Sequence, residues 1–234
     1  MIRIEDASKV VVSFSGGLDS TTLLYLAVNK LGADNVYALS FDYNQRHSVE
    51  LELAKKTCQK LGVKHKIINL AFLGELAANV SAMVKGSVPT PRAEDPRASS
   101  IVPTYVPFRN MILSGITLSF AESIGADAVA LGVQYGDYYT NEAWYYWDCS
   151  KQFTETIQQL ANLNNKHQIH YITPFVSLAK EDIVKLGSSL GVDFSNTRTC
   201  YTDDTIACGE CPSCVARRAA FQKAGVIDPL PYKK

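Results

Sequence analysis

The chain carries no excess charge of either sign, because 23 basic residues balance 23 acidic residues over 234 positions. Proteins that bind a nucleic-acid backbone usually have a basic surplus or a basic stripe. The balance therefore argues against nucleic acid as the direct substrate. Hydrophobic residues make up 47% of the chain and charged residues 20%, which is typical of a globular protein with a sizeable core.

Long apolar runs are also missing. The run KVVVSF at residues 9–14 is too short for the hydrophobic region of a signal peptide or for a membrane span, and no other stretch approaches that length. We therefore expect a cytoplasmic protein with no membrane partner. There are only six cysteines, and four of them fall within fifteen residues near the C-terminus. That crowding favours metal binding over a secreted disulfide scaffold.

Short apolar runs alternate along the chain with segments of helical periodicity. The predicted strands are residues 9–14, 36–43, 64–70, 128–133 and 169–174. The predicted helices are residues 20–31, 48–61, 109–124, 150–163 and 179–190, the last of these being the last regular helix, and a proline-rich loop covers 86–107. This alternation predicts an α/β fold with a doubly wound parallel sheet, in which ligands bind outside the carboxyl ends of the strands.

The segment SFSGGLDSTT, residues 13–22, lies between the first predicted strand and helix. Its glycines allow backbone N–H groups to approach a ligand closely, and the helix adds its positive N-terminal end, so the loop is suited to phosphate. The lysine of a Walker A loop and the three glycines of a dinucleotide loop are both absent. From the glycines alone, an ordinary strand-to-helix turn capped by a serine is an equally good interpretation.

The hexapeptide SGGLDS, residues 15–20, resembles the SGGxDS signature of the PP-loop ATP pyrophosphatases. Members of that family cleave ATP between the α and β phosphates and use the AMP to activate a carbonyl or carboxyl oxygen. The resemblance implies that Asp19 organises magnesium or the loop itself. It implies an ATP-binding set of Ser13, Phe14, Ser15, Gly16, Gly17, Leu18, Asp19, Ser20, Thr21 and Asp42.

Further segments, in the same order along the chain, resemble the 7-cyano-7-deazaguanine synthase (QueC) family. FDYNQRH at residues 41–47 is similar to the family's FDYGQRH, and VPFRN at 106–110 to its VPGRN. The pair Asp148–Cys149 and the run from TPF at 173–175 to AKEDIVKLG at 179–187 also match the family pattern. Departures are Asn44 and Phe108, which replace family glycines, and Ser150, which replaces the arginine after the DC pair.

This second resemblance implies the substrate side of a site. The implied catalytic residues are Asp19, Arg109 and Lys180, and the implied substrate-binding residues are Arg46, His47, Arg109, Asn110, Asp148 and Cys149. Each also has a structural interpretation. Arg46 and His47 could form a solvated helix start, and Lys180 could be a surface lysine.

The stretch QYGDYYTNEAWYYWDC, residues 134–149, collects both tryptophans of the chain. It follows the fourth predicted strand, so it is expected at the ligand end of the sheet. We predict that it forms a pocket wall whose rings stack on a deazapurine and exclude water. A buried loop and a subunit interface are the alternative interpretations.

Cys200, Cys208, Cys211 and Cys214 have the spacing C-x7-C-x2-C-x2-C. Four such thiolates can surround a tetrahedral ion, and an iron–sulfur cluster is the main competing interpretation. The resemblance favours zinc, in a closed and therefore structural site. Three arginines flank the cluster and either reach an anionic ligand or are solvated, namely Arg198, Arg217 and Arg218.

Together these features predict an ATP-dependent ligase with an ATP-binding catalytic domain over residues 1–195 and a zinc-binding region over 196–234 packed on it. The implied cofactors are ATP, Mg²⁺ and structural Zn²⁺. The implied reaction adenylates 7-carboxy-7-deazaguanine and converts it with ammonia to the amide and then the nitrile, in a homodimer. The alternatives are an enzyme that stops at the amide or modifies a protein amino group, a tRNA-modifying PP-loop enzyme, and a non-catalytic nucleotide-binding module.

Overall fold

The computed structural model describes residues 3–94, 103–134, 146–202 and 206–233. At its centre is a five-stranded, all-parallel sheet in the order β3-β2-β1-β4-β5. Its strands are β1 (Val10–Ser13), β2 (Val36–Asp42), β3 (Lys64–Asn69), β4 (Ala128–Leu131) and β5 (His170–Ile172). The strand order reverses between β1 and β4, which is the position where such sheets open a crevice for ligands.

The helices are α1 (Leu18–Leu31), α2 (Val49–Leu61), α3 (Ala71–Ala77), α4 (Arg109–Ser123), α5 (Lys151–Asn162), α6 (Lys180–Ser189) and α7 (Pro212–Ala224). The prediction that the last regular helix ends near residue 190 is wrong. Helix α7 begins directly after Cys211 and contains Cys214, with Pro212 at its first position and Gly225 ending it in the left-handed conformation. Within the described ranges, no helix has the length and apolar character needed to cross a bilayer.

Helices cover both faces of the sheet, because successive strand residues point to opposite sides. Val12 of β1 belongs to an apolar cluster with Leu24 of α1 and Phe221 of α7. Its neighbour Val11 belongs to a second cluster with Ala121 of α4. The sheet is therefore doubly wound, as the alternation of strands and helices predicts.

The C-terminal segment is anchored by a buried arginine. Arg217 is fully buried and pairs with Asp228, with Nη2 3.0 Å from Oδ1, and it also donates to Thr197 Oγ1 at 2.8 Å. It is therefore neither solvated nor a ligand contact. Arg218 is exposed and lies over the ring of Tyr232. The division of the chain at residue 195 stays a prediction.

Candidate active site

A cavity of about 360 Å³ opens at the carboxyl ends of β1 and β4. Ser13 and Leu131 are paired in register at these two strand ends, and both line the cavity. The residues with sequence-predicted ligand roles that line it are Ser13, Phe14, Ser15, Gly17, Leu18, Asp19, Ser20, His47, Arg109, Asn110, Cys149 and Lys180. Sites in doubly wound sheets are expected at this reversal of strand order.

The loop between β1 and α1 has little freedom to accept larger side chains. Gly16 has a φ of +83°, and a Cβ atom there would lie 2.5 Å from the carbonyl oxygen of Glu50. Ser15 Oγ accepts from the backbone N–H of Gly17 at 3.2 Å and lies 3.0 Å from Ser20 Oγ. The N-terminal end of α1 thus meets the cavity with Gly17 and two hydroxyls, an arrangement suited to phosphate.

Asp19 and Lys180 lie at the N-terminal ends of α1 and α6 and meet at the cavity. Lys180 Nζ is 2.6 Å from Asp19 Oδ2, and the two side chains are 18% and 24% exposed. Asp19 Oδ1 is buried and has no hydrogen-bond partner among the described residues. The pair therefore offers a cation for phosphate and a carboxylate oxygen for a metal ion or a donor.

The start of α4 presents Arg109 and Asn110 to the cavity. Arg109 Nη1 donates to the hydroxyl of Tyr43 at 3.3 Å. Asn110 Nδ2 is 3.2 Å from the carbonyl oxygen of Asp148 and 3.4 Å from Cys149 Sγ. The residue before α4, Phe108, has a left-handed backbone with a φ of +52°. A fixed guanidinium thus stands at the cavity, where it can hold a carboxylate.

Cys149 is a poor nucleophile in this setting. Burial raises the pKa of its thiol to about 12, and the neighbouring Asp148 contributes in the same direction. Since the thiolate is the reactive form, the side chain is inert at neutral pH. Burial also raises the pKa of Asp148 above its ordinary value, although Arg109 and the hydrogen bond from Asn110 oppose the shift.

Five residues with predicted ligand roles do not line the cavity, and they are Gly16, Thr21, Asp42, Arg46 and Asp148. Arg46 instead donates to the carbonyl oxygens of Val84 at 2.9 Å, Gly86 at 2.9 Å and Val88 at 2.6 Å. Asp42 Oδ1 accepts from the backbone N–H of Asn44 at 3.2 Å. A solvated helix start does not describe this segment either, because His47 is 7% exposed.

The cavity also has polar lining residues outside the predicted sets of ligand-binding residues. Gln134 and Tyr146 belong to the aromatic stretch that is predicted to form a pocket wall. The others are Tyr43, Glu50, Thr104, Thr199, Tyr201 and Ser213, together with Arg198, for which the sequence leaves a ligand contact open. Tyr201 and Ser213 are sequence neighbours of the cluster cysteines Cys200 and Cys214. Proximity in sequence to the cysteines could therefore have predicted these two lining residues, because a metal bound by the cysteines would also fix the cavity wall next to it.

The four sulfur atoms of Cys200, Cys208, Cys211 and Cys214 all lie within 4.8 Å of one another. A tetrahedral ion with Zn–S bonds of about 2.3 Å holds its sulfurs about 3.8 Å apart. The distance from Cys208 Sγ to Cys214 Sγ is 3.9 Å. Backbone N–H groups of Cys208 and Cys211 each donate to a cluster sulfur at 3.3 Å. The donor set therefore fits one tetrahedral metal ion.

Most of the aromatic stretch, residues 135–145, lies outside the described residues. Of its described end, Tyr146 lines the cavity and hydrogen-bonds through its hydroxyl to Thr104. Trp147 Nε1 donates to the hydroxyl of Tyr105 at 3.0 Å, and its ring meets Phe108 edge-on at 5.2 Å between centroids. The assignment of the stretch to a pocket wall stays a prediction.

Comparison with known proteins gives a match over nearly the whole chain. The family model described as "Queuosine biosynthesis protein QueC" matches residues 9–225. The 7-cyano-7-deazaguanine synthase of Marinomonas sp. (strain MWYL1) is 37% identical over 97% of this chain and 99% of its own length. The protein of the same name from Caldicellulosiruptor saccharolyticus is 41% identical over 96% of each. Among solved structures, the NH3-dependent NAD synthetase from Campylobacter jejuni aligns with a TM-score of 0.47 at 18% identity, over 81% of this chain and 69% of that one.

Proposed function

The chain belongs to the QueC family of queuosine biosynthesis proteins, and from this premise we propose that it is an ATP-dependent ligase that converts 7-carboxy-7-deazaguanine to 7-cyano-7-deazaguanine. One observation carries the proposal. A single cavity is lined by the loop of Ser15–Ser20, by Lys180 and by Arg109. A phosphate site and a carboxylate site therefore share one space, as the joining of ATP to an organic acid requires.

The chemistry follows from the poor reactivity of a carboxylate. The anion repels a nucleophile and has no good leaving group. Attack of a carboxylate oxygen on the α-phosphorus of ATP expels pyrophosphate and leaves an acyl-adenylate, in which the charge is masked and AMP can leave. Ammonia then gives the amide. A second ATP activates the amide oxygen in the same way, and loss of AMP with the nitrogen's two protons gives the nitrile.

In this proposal the protein acts mainly by positioning and electrostatics. The loop around Gly17 holds the phosphates, and Lys180, now paired with Asp19, turns to the pyrophosphate that leaves. Arg109 holds the carboxylate of the deazaguanine. Arg198 also lines the cavity, so three cations offset the charge of two anionic reactants.

Two metal ions complete the proposal. The buried Oδ1 of Asp19, which has no hydrogen-bond partner among the described residues, would hold Mg²⁺. When bound, Mg²⁺ offsets phosphate charge. For the four cysteines we propose Zn²⁺, because sulfurs within 4.8 Å suit a single ion, whereas the thiolates of an iron–sulfur cluster bind separate irons.

The metal proposal is tested by elemental analysis of the purified protein. We expect one zinc per chain and no iron, and we expect Cys208→Ser to lower the zinc content and the unfolding midpoint together. Stoichiometric iron with visible charge-transfer absorption would contradict zinc. Cys58→Ser is the matched control, because this cysteine lies on α2 outside the cluster.

We also propose ammonia as the nitrogen donor, a homodimeric state and a cytoplasmic location, where ATP is made. Light scattering tests the dimer, which requires twice the mass of the 25.7 kDa chain.

The function is tested by incubating the protein with ATP, Mg²⁺, 7-carboxy-7-deazaguanine and ammonium, and by weighing base and protein by mass spectrometry. We expect the nitrile, with two AMP formed for each nitrile. An amide as the end product, or a protein carrying the base, would replace the proposal with the corresponding variant. Absence of AMP with an active positive-control enzyme under the same conditions would overturn it.

A further inference from the structure

His47 and Glu50 form a buried pair at the N-terminal end of α2. Each is only 7% exposed, yet both line the cavity. His47 Nε2 lies 3.4 Å from Glu50 Oε1. A carboxylate can only accept, so the neutral form of the ring places its hydrogen on Nε2 and keeps a lone pair on the other ring nitrogen, Nδ1.

The lone pair of His47 Nδ1 has no partner among the described residues, although the atom is buried. Buried polar atoms are almost always paired, so an unpaired acceptor that lines a cavity indicates a donor on the ligand. Phosphate and carboxylate groups of the reactants are acceptors and cannot fill this place. The donor must be an N–H or O–H group.

The neighbours of the pair indicate which part of the ligand it meets. The carbonyl oxygen of Glu50 packs against Gly16 of the phosphate loop. On the other side, the negative charge of Glu50 acts on Tyr43, whose hydroxyl accepts from Arg109. The pair thus lies between the phosphate loop and the guanidinium, where phosphorus and acyl carbon would be joined. The incoming ammonia, which must approach the acyl carbon, brings N–H groups to that junction.

Resting on the proposed function, we propose that His47 is the general base that takes a proton from the nitrogen attacking the acyl-adenylate, and that Glu50 is its positioning residue. Among the described residues of the site, the other candidate bases are less suitable. Cys149 is a neutral thiol, Asp148 does not line the cavity, and Asp19 is paired with Lys180.

Capture of ammonia transfers one proton to His47. The lone pair of ammonia forms the C–N bond while the carbonyl π pair moves to oxygen, and the nitrogen becomes cationic. One of its protons passes to Nδ1 of His47, and Glu50 stabilises the resulting imidazolium through Nε2–H. The oxygen pair re-forms the carbonyl, and AMP leaves with the electrons of the C–O bond. The imidazolium then returns its proton to solvent.

The test separates adenylation from nitrogen capture in three variants of the full-length protein. His47→Gln removes the base, and Glu50→Gln removes the carboxylate. Glu52→Gln is the matched control, because it makes the same change on the same helix at a side chain that is 65% exposed. Exchange of labelled pyrophosphate into ATP, dependent on 7-carboxy-7-deazaguanine, reports adenylation. Amide formation from ammonium reports nitrogen capture. Hydroxamate formation from hydroxylamine reports capture that needs little base catalysis, because the adduct of hydroxylamine is far more acidic than that of ammonia and loses its proton without help.

We expect His47→Gln to lower amide formation by about 10²- to 10⁴-fold, the range of general-base catalysis, with exchange and hydroxamate formation within about threefold of the wild type. Glu50→Gln should show a smaller loss of the same kind, and Glu52→Gln none. Equal losses with ammonium and hydroxylamine, or full amide formation in His47→Gln, would overturn the role of the base. A larger loss in Glu50→Gln would make Glu50 the base instead. Absence of exchange in the wild type would refute the proposed function itself.

Discussion

Two turns lead into helices at the cavity, and each contains a non-glycine residue in the left-handed conformation. In the 44 turn, residues 42–48, this residue is Asn44 with a φ of +58°, and in the 108 turn, residues 105–110, it is Phe108 with a φ of +52°. An arginine follows each of them. Arg46 is bound to three backbone carbonyl oxygens, whereas Arg109 faces the cavity. Two arginines that share a predicted substrate-binding role therefore have different surroundings.

The difference lies in how each turn is held. In the 44 turn, Gln45 accepts from the N–H of Tyr43 at 2.8 Å and donates to the carbonyl oxygen of Phe41 at 3.0 Å. Asparagine also tolerates the left-handed region, so this turn is relaxed. Phenylalanine does not, and such outliers persist only where their surroundings enforce them. The Phe108 ring packs on Trp147, and the strained residue is next to Arg109.

The largest effect is expected from Arg109→Met. Loss of the charge that holds the carboxylate should lower kcat/KM for the deazaguanine acid by about 10²- to 10³-fold. The unfolding free energy should change by only about 1–2 kcal/mol, since the hydrogen bonds to Tyr43 and to the side chain of Asn110 are lost. Steady-state kinetics and urea unfolding check the two values. Arg109→Lys serves as the control, and its kcat/KM should lie between those of the wild type and the Met variant. Wild-type kinetics in the Met variant would show that Arg109 does not bind the carboxylate.

Arg46→Met should show the reverse pattern. Three carbonyl oxygens lose a charged donor, so the unfolding free energy should fall by about 2–3 kcal/mol. Measured well below the unfolding midpoint, kcat/KM should stay within about threefold of the wild type. Arg218→Met, at an exposed arginine, is the stability control. If activity falls while stability holds, Arg46 contacts the substrate after all.

Substitution of Phe108 and Asn44 by glycine and by alanine separates the cost of backbone strain from the loss of side-chain packing. Phe108→Gly and Phe108→Ala both remove the ring, but only alanine keeps a Cβ atom in the disfavoured region. We expect the glycine variant to be more stable by about 1–2 kcal/mol, the reverse of the usual order. The pair Asn44→Gly and Asn44→Ala should show the same sign. Thermal unfolding gives both differences, and an alanine variant as stable as its glycine counterpart would show that the backbone there is not left-handed in solution.

The smallest effect at neutral pH concerns two buried thiols. Burial raises the pKa of Cys58, on α2, to about 12, and that of Cys149, beside Asn110, likewise to about 12. Between the ordinary value of 9.0 and about 12, the unfolded thiol has lost its proton while the folded one keeps it. The contribution of each buried thiol to the free energy of unfolding is therefore fully present below pH 9. As the pH rises above 9, this contribution is lost by up to about 1.4 kcal/mol per pH unit for each thiol.

Urea unfolding between pH 8 and 11 measures that slope in the wild type, in Cys58→Ala and in Cys149→Ala. Each variant should have a shallower slope than the wild type, and the double variant the shallowest. Variants that keep the wild-type slope would mean that these thiols ionise as easily in the folded protein as in the unfolded one.

The sequence predicts the parts of this molecule that depend on local pattern. Local patterns of this kind are the run of valines in β1, the glycines before α1 and the spacing of the cysteines. Helix α7 has no such pattern, because its buried face includes a charged residue, Arg217, and its apolar positions carry little helical periodicity. The signals that mark it are Pro212 and Gly225 at its two ends.

The cavity lining was only partly predictable for a different reason. Lining residues such as Tyr43, Thr104 and Tyr201 come together from three separate segments through the strand order, which the sequence pattern leaves open. The contacts of Arg46 are unpredictable for a related reason, because the carbonyl oxygens that it binds lie some forty residues away along the chain. Side-chain roles that depend on distant backbone carbonyls have no local signal.

The pairing of Arg217 with Asp228 has a consequence for damaged copies of this protein. A chain that loses the segment beyond Gly225, by premature termination or by a carboxypeptidase, keeps a fully buried guanidinium whose counter-charge is gone. Breaking such a pair costs roughly 3–5 kcal/mol, a large share of the stability of a domain. The unfolded fraction would rise by about 10²- to 10⁴-fold, which exposes shortened copies to cellular proteases. Because of this ion pair, chains that lack the C-terminal segment should be degraded faster than intact chains.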